Sequence, residues 1–136
     1  MGLEIVEAAA TRSADVLGAA QRLVGNVDVI YVPTDNTIVS ALEAVIRVGK
    51  DNDIPVYAGD TDSVPRGAIA AVGFNYYDVG RQTGRIVLRV LKGENPGDIA
   101  VEGIQKTELY VNPGAAEDMG VTIPESIIAR AKEVIE

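Results

Sequence analysis

The run Val27-Asp28-Val29-Ile30-Tyr31-Val32, broken by Pro33, constrains this chain more than any other segment. It is rich in β-branched residues and apolar on both faces apart from Asp28. A strand that faces water on one side alternates apolar and polar residues, whereas one apolar throughout needs cover on both faces, as in the middle of a parallel sheet. A polar loop follows, Pro33 to Thr37, and then a helical stripe of Ile38, Ala41, Leu42, Val45 and Ile46. The theme recurs. Ile54 to Ala58 reads as a strand, Gly59 to Ser63 as a polar loop, and Ala68 to Phe74 as a strand of small residues. Such alternation predicts an α/β fold, Rossmann-like or flavodoxin-like, with three layers and a parallel sheet covered on both faces. The chain has one Phe, five Tyr and no Trp, so Val, Ile, Leu and Ala must build its core. Its 136 residues suit one domain.

The remaining elements follow from local signals. Leu3 to Ala8 reads as a short strand. Ser13 is the expected N-cap of a helix carrying Val16, Leu17, Ala20, Leu23 and Val24, which Gly25 ends. Asn36 or Thr37 is expected to cap the next helix, Glu43 and Arg47 to pair along it, and Gly49 to stop it. A longer helix is predicted over Tyr77 to Lys92, with Gly93 as its C-cap. Tyr77, Gly80, Gly84, Val87, Leu88 and Leu91 share one face of it. Two glycines weaken a helix, so a close neighbour is expected on that face. Asn95 to Asp98 is a turn and the best candidate for a boundary. Glu108 to Val111 reads as a strand and Ala115 to Met119 as a short helix. Pro124 opens a last helix with Ile127, Ile128, Ala131, Val134 and Ile135 on its apolar face.

Charge and composition exclude several function classes. Lys plus Arg total 12 and Asp plus Glu 20, a net charge of −8. Nucleic acid demands a basic footprint, so no nucleic-acid partner is expected. There is no Cys and no His. A thiolate nucleophile, an imidazole base and the usual zinc ligands are therefore absent. No catalytic residue, metal ligand or cofactor is predicted. No apolar run is long enough for a membrane span, and Met1-Gly2-Leu3-Glu4 does not open a signal peptide.

In open α/β sheets, ligands bind beyond the C-terminal ends of the strands. Two loops there are polar: Pro33-Thr34-Asp35-Asn36-Thr37 and Gly59-Asp60-Thr61-Asp62-Ser63. Hydroxyls and backbone amides can hold a carboxylate, and an Asp can hold an ammonium. Together they suit a zwitterion such as an amino acid. The same residue types are also the commonest caps and turn formers, and at this stage both readings stand. Arg81, Arg85 and Arg89 recur at i, i+4 and i+8, a solvated face or a docking stripe.

Several longer motifs then bear on family. They are Tyr31 to Thr37, Ile54 to Asp60, Gly67 to Phe74, Tyr76 to Gly84 and Met119 to Glu125. In this order they resemble the tryptophan/tyrosine-type substrate-binding proteins of bacterial ABC importers, over essentially the whole chain. The resemblance implies part of a lobe of the type I periplasmic-binding-protein fold, corresponding to the C-terminal portion of a two-lobed protein about twice as long. It implies an aromatic amino acid as ligand, an ABC permease as partner, and a periplasmic or membrane-anchored extracellular location for the intact protein. Thr34, Asp35, Asn36, Asp60, Thr61 and Asp62 are the expected ligand-binding residues, with Tyr76 as a ring contact. Residues 75–93 would belong to the opposite lobe. A lobe lacking its first strand would leave Leu3–Ala8 and Val27–Val32 without their shared neighbour. A homodimer or larger homo-oligomer, or the two segments pairing directly, is then expected. A small flavodoxin-like enzyme or signalling domain is the alternative, and would show turnover or Asp phosphorylation.

Overall fold

The strand sequence produces a sheet, but one in which the most apolar segment lies at an edge. The computed structural model describes residues 2–135. Its five strands are β1 (Ile30–Val32), β2 (Val56–Ala58), β3 (Ala70–Gly73), β4 (Glu108–Val111) and β5 (Glu133–Val134), in the spatial order β1-β2-β3-β4-β5. β1, β2 and β3 run parallel. β4 is antiparallel to β3, and β5 is parallel to β4. The sheet is thus mixed where an all-parallel one is expected. The long segment 75–107 returns the chain to the end of the sheet that it left, so β4 must run back down.

The helices are α1 (Val16–Leu23), α2 (Asn36–Val39), α3 (Leu42–Asp51), α4 (Tyr76–Leu91), α5 (Pro113–Asp118) and α6 (Glu125–Ile128). Val16 and Ala20 of α1, Leu42, Val45, Ile46 and Val48 of α3, and Ala115 and Ala116 of α5 share one core with Ile30, Val32, Val56 and Ala58 of the sheet. Only that face of the sheet is well covered. Tyr31 is 65% exposed and Val72 63%, against the expectation of cover on both sides. Gly49 does not stop its helix. A Cβ there would sit 2.7 Å from the Ile54 carbonyl oxygen and 2.6 Å from the Val56 side chain, so this glycine lets α3 press against β2, and the helix runs two residues further.

Other local expectations give way to tertiary partners. Leu3–Ala8 forms no strand; Leu3 and Ile5 are exposed and the segment has no ladder to join. It therefore does not pair beside β1. Arg12 and Asp15, not Ser13, precede the first helical turns, and neither caps through its side chain. Glu43 pairs with Arg66, whose Nε donates at 2.8 Å, rather than with Arg47. The last helix is one turn. Beyond it the chain straightens into β5, where the Lys132 amide donates to Leu109 O at 2.7 Å and the Ile135 amide to Val111 O at 2.8 Å. A free edge on β4 outcompetes a short helix, which is marginal without packing.

Candidate functional site

Three loops meet where β1, β2 and β3 finish. After β1, Asp35 Oδ1 accepts from the amides of Thr37 at 2.9 Å and Ile38 at 3.1 Å. Asp35 is therefore the cap of α2, not Asn36 or Thr37, and it occupies amides that a ligand carboxylate would otherwise use. After β2, Asp60 Oδ1 accepts from the Ser63 amide at 2.9 Å, and the Ser63 hydroxyl lies 2.9 and 2.8 Å from the two carboxylate oxygens. Ser63 is fully buried, so Asp60 satisfies a hydroxyl cut off from water. The capping interpretation of the two loops thus describes their local bonding.

Two glycines bring the loops together. A Cβ on Gly59 would fall 2.8 Å from the Tyr31 hydroxyl and 3.0 Å from Thr34 Oγ1. One on Gly73, at the end of β3, would fall 3.0 Å from the Thr61 amide nitrogen. Only residues without a side chain let the loop after β2 lie against both neighbours.

Beside this junction is a cleft of about 190 Å³, lined by Asp60, Thr61, Asp62, Phe74, Asn75, Tyr76 and Tyr110. Four of the expected site residues line it. Thr34, Asp35 and Asn36 do not; they stand on the far side of Gly59 in the adjoining loop. Phe74 and Tyr76 pack edge to face, with centroids 5.1 Å apart and planes at 73°, and Tyr76 remains largely exposed. The Asn75 side chain caps α4 by accepting from the Tyr77 amide at 2.8 Å.

Phe74, Asn75 and Tyr110 escape the loop-based reading. Phe74 and Asn75 follow β3 directly and extend the same rule by one strand. Tyr110 carries no such signal, because it enters only through the antiparallel pairing of β4, in which Tyr110 faces Ala71 and Glu108 faces Gly73.

The electrostatics of the cleft are acidic. Tyr110 is opposite Glu133 in the β4–β5 register, and Glu108 precedes it by two residues on the same face. Burial pushes the Tyr110 phenol above its ordinary range, and the charges of Glu133, Glu108 and Asp62 push it further. The phenol is neutral at neutral pH. Asp62 has no hydrogen-bond or ion-pair partner among the described residues. No group of acidic residues suited to a metal ion occurs among the described residues.

A second cleft, of about 220 Å³, lies between α4 and residues 104–106 and includes Asp78, Arg81, Gln82, Arg85 and Lys106. Lys106 Nζ bridges Asp78 at 3.1 Å and Glu108 at 2.6 Å. All three arginines are exposed, as a solvated face requires; Arg89 also pairs with Glu94, and Arg81 lies over the Tyr77 ring at 5.9 Å.

The fold is shared with known proteins. The family model described as ABC transporter substrate binding protein matches residues 1–135. A tyrosine-binding protein of Clostridioides difficile (strain R20291) is 41% identical over 109 residues, covering 80% of this chain and 32% of that protein. A conserved domain protein of Vibrio cholerae superposes with a TM-score of 0.88 at 43% identity, covering 98% of this chain and 45% of that one. The ABC domain of Streptococcus pneumonia, solved in complex with L-Trp, gives a TM-score of 0.86 at 32% identity over the same shares. The chain spans about a third of the length of the curated relatives it matches and under half of the solved chains.

Proposed function

The chain belongs to the family of ABC transporter substrate-binding proteins, and we propose that it forms part of the solute receptor of a bacterial importer whose solute is an aromatic amino acid. The observation that carries this reading is the cleft at the ends of β2 and β3, which three aromatic residues, Phe74, Tyr76 and Tyr110, line together with Asp60 and Asp62. A ring and an ammonium could be held there together. The ligand class is supported by the relatives, one named for tyrosine and one solved with L-Trp.

In this reading Asp60, Thr61 and Asp62 act from the loop after β2 and Tyr76 from the start of α4. Thr34, Asp35 and Asn36 act from the adjoining loop. Residues 75–93 reach into the opposite lobe, and the ABC permease is the partner of the whole protein, which works in the periplasm or anchored outside the membrane. The family is one of binding proteins rather than enzymes, and no turnover is expected. Closure of two lobes around a solute supplies much of the affinity in such proteins, so this chain alone should bind weakly. Association of two copies through the exposed face of α4 and the edge of β1 belongs to the same proposal. Sedimentation equilibrium at micromolar concentration giving only the monomer mass would remove it.

An NMR titration with L-tyrosine and L-tryptophan to millimolar concentration tests the site. Saturable shifts at Thr61, Asp62, Asn75, Tyr76 and Tyr110 are expected, weakened by Asp60→Ala and by Asp35→Ala. Amide spectra unchanged by both amino acids would sink the reading.

A further inference from the structure

We infer that Tyr110, with Asp62, is the determinant that selects a solute carrying an ammonium group, the two accepting hydrogen bonds from that group while the aspartates that cap the loops only shape the cleft. The inference rests on the cleft being the solute site.

It follows from an inventory of the acceptors near the loops. Asp35 spends one oxygen on the amides of Thr37 and Ile38. Asp60 engages both oxygens with Ser63. Turning either toward a solute would strip a helix cap or leave a buried hydroxyl unpaired, each at a cost to the fold. Asp62 has no such duty: its carboxylate lines the cleft with no partner among the described residues.

Tyr110 is a further acceptor lining the cleft. A neutral phenol has one proton to donate and lone pairs to accept with. Glu133 is Tyr110's partner across the β4–β5 pairing, and its charge acts on the phenol. The phenol lines the cleft, so its oxygen can accept from a solute there. Glu108, only 11% exposed at its side chain, adds negative charge on the same face of β4, partly offset by Lys106 at 2.6 Å. A cation entering here meets two acceptors in a negative field. A carboxylate entering here meets repulsion. The ammonium end of a solute therefore points toward Tyr110, and the ring toward Phe74 and Tyr76.

The test compares L-tyrosine with desaminotyrosine, the same molecule without its amino group, by NMR titration of the whole chain. The wild-type chain should prefer L-tyrosine by about tenfold, the size of one charge-assisted hydrogen bond. Tyr110→Phe keeps the ring and its packing, and should narrow that preference to about threefold or less. Asp62→Asn should do the same. An unchanged preference in both variants overturns the inference, as does an equal loss of affinity for both compounds in Tyr110→Phe, which would mean a packing role only. Equal affinity of the wild-type chain for the two compounds keeps the site and removes the selector. Binding of neither compound removes the site itself, and the inference with it.

Discussion

The sheet with α1, α3 and α5 and the arm formed by α4 with residues 92–107 are built on different principles. In the first, Leu42, Val56, Val64, Ala68 and Val111 are wholly shielded from water. Here helices exist because an amphipathic face is buried. In the second, none of the sixteen residues of α4 is buried. Leu88 is 51% exposed and Leu91 78%. A Cβ on Gly80 or Gly84 would meet nothing within 4 Å. What holds the arm is polar: Lys106 to Asp78 and Glu108, and Gln82 to the Gly103 carbonyl at 2.9 Å. One region is stabilised by packing, the other by its own cap, its helix propensity and a few surface bonds. The lesson is that an apolar stripe at helical spacing reports what a helix could bury, not what it does bury.

The sharpest way to test this contrast is a pair of leucines. Leu42→Ala should cost about 3 kcal/mol in urea unfolding, since it opens a cavity in the core. Leu88→Ala, on α4, should cost less than about 0.5 kcal/mol in dilute solution. A large loss at Leu88 would show that its face is covered in solution.

A pair of glycines should give effects of opposite sign. Gly49→Ala forces a methyl against the Ile54 carbonyl and should destabilise by about 1–3 kcal/mol. Gly84→Ala meets open space and should stabilise α4 by up to about 1 kcal/mol. Circular-dichroism melts read both. A destabilised Gly84→Ala would mean that another surface fits against this glycine.

Hydrogen exchange sharpens the comparison without a mutation. Amides in the middle of α3 should exchange only through global unfolding, while those of α4 open locally and exchange faster. Equal protection along both helices would contradict a polar attachment.

The smallest effect expected is a pH dependence. The hydrogen bond to its own backbone and then the Arg66 guanidinium lower the Glu43 carboxyl below its ordinary value. A carboxyl depressed on folding contributes stability that is complete above its unfolded pKa and is lost as pH falls through the folded one. The pair is solvent-exposed, so the contribution is slight. Glu43→Gln should flatten the acid limb of the stability profile a little, and Arg66→Gln should flatten it similarly. An unaltered limb in both would remove the ion pair from the account.

These contrasts also mark where sequence reading succeeds. β4 has the expected bounds, and α4 is displaced by one residue at each end. Both carry strong local signals: a bounded short run in one, sixteen residues of periodicity with an Asn cap in the other. Of the expected site residues, Asp60, Thr61, Asp62 and Tyr76 share the cleft, because a polar loop after an apolar strand is visible in the chain itself. Tyr110 joins them through a partner strand thirty-odd residues away, and no local pattern announces it.

Alternation of strands and helices and the polar loops that follow the strands are properties of the sequence, since each depends on residues within a few positions of one another, whereas the contacts that Gly59 and Gly73 permit join distant segments. The tertiary structure alone decided that β1 is an edge, that β4 runs antiparallel, that the C-terminal apolar residues extend as β5 instead of coiling, and that Leu3–Ala8 is no strand. Each of these turns on whether a distant backbone edge is free to pair. A strand's hydrogen bonds are made with another segment, whereas a helix makes its own, so helices were easier to read from sequence here than the order and direction of the strands.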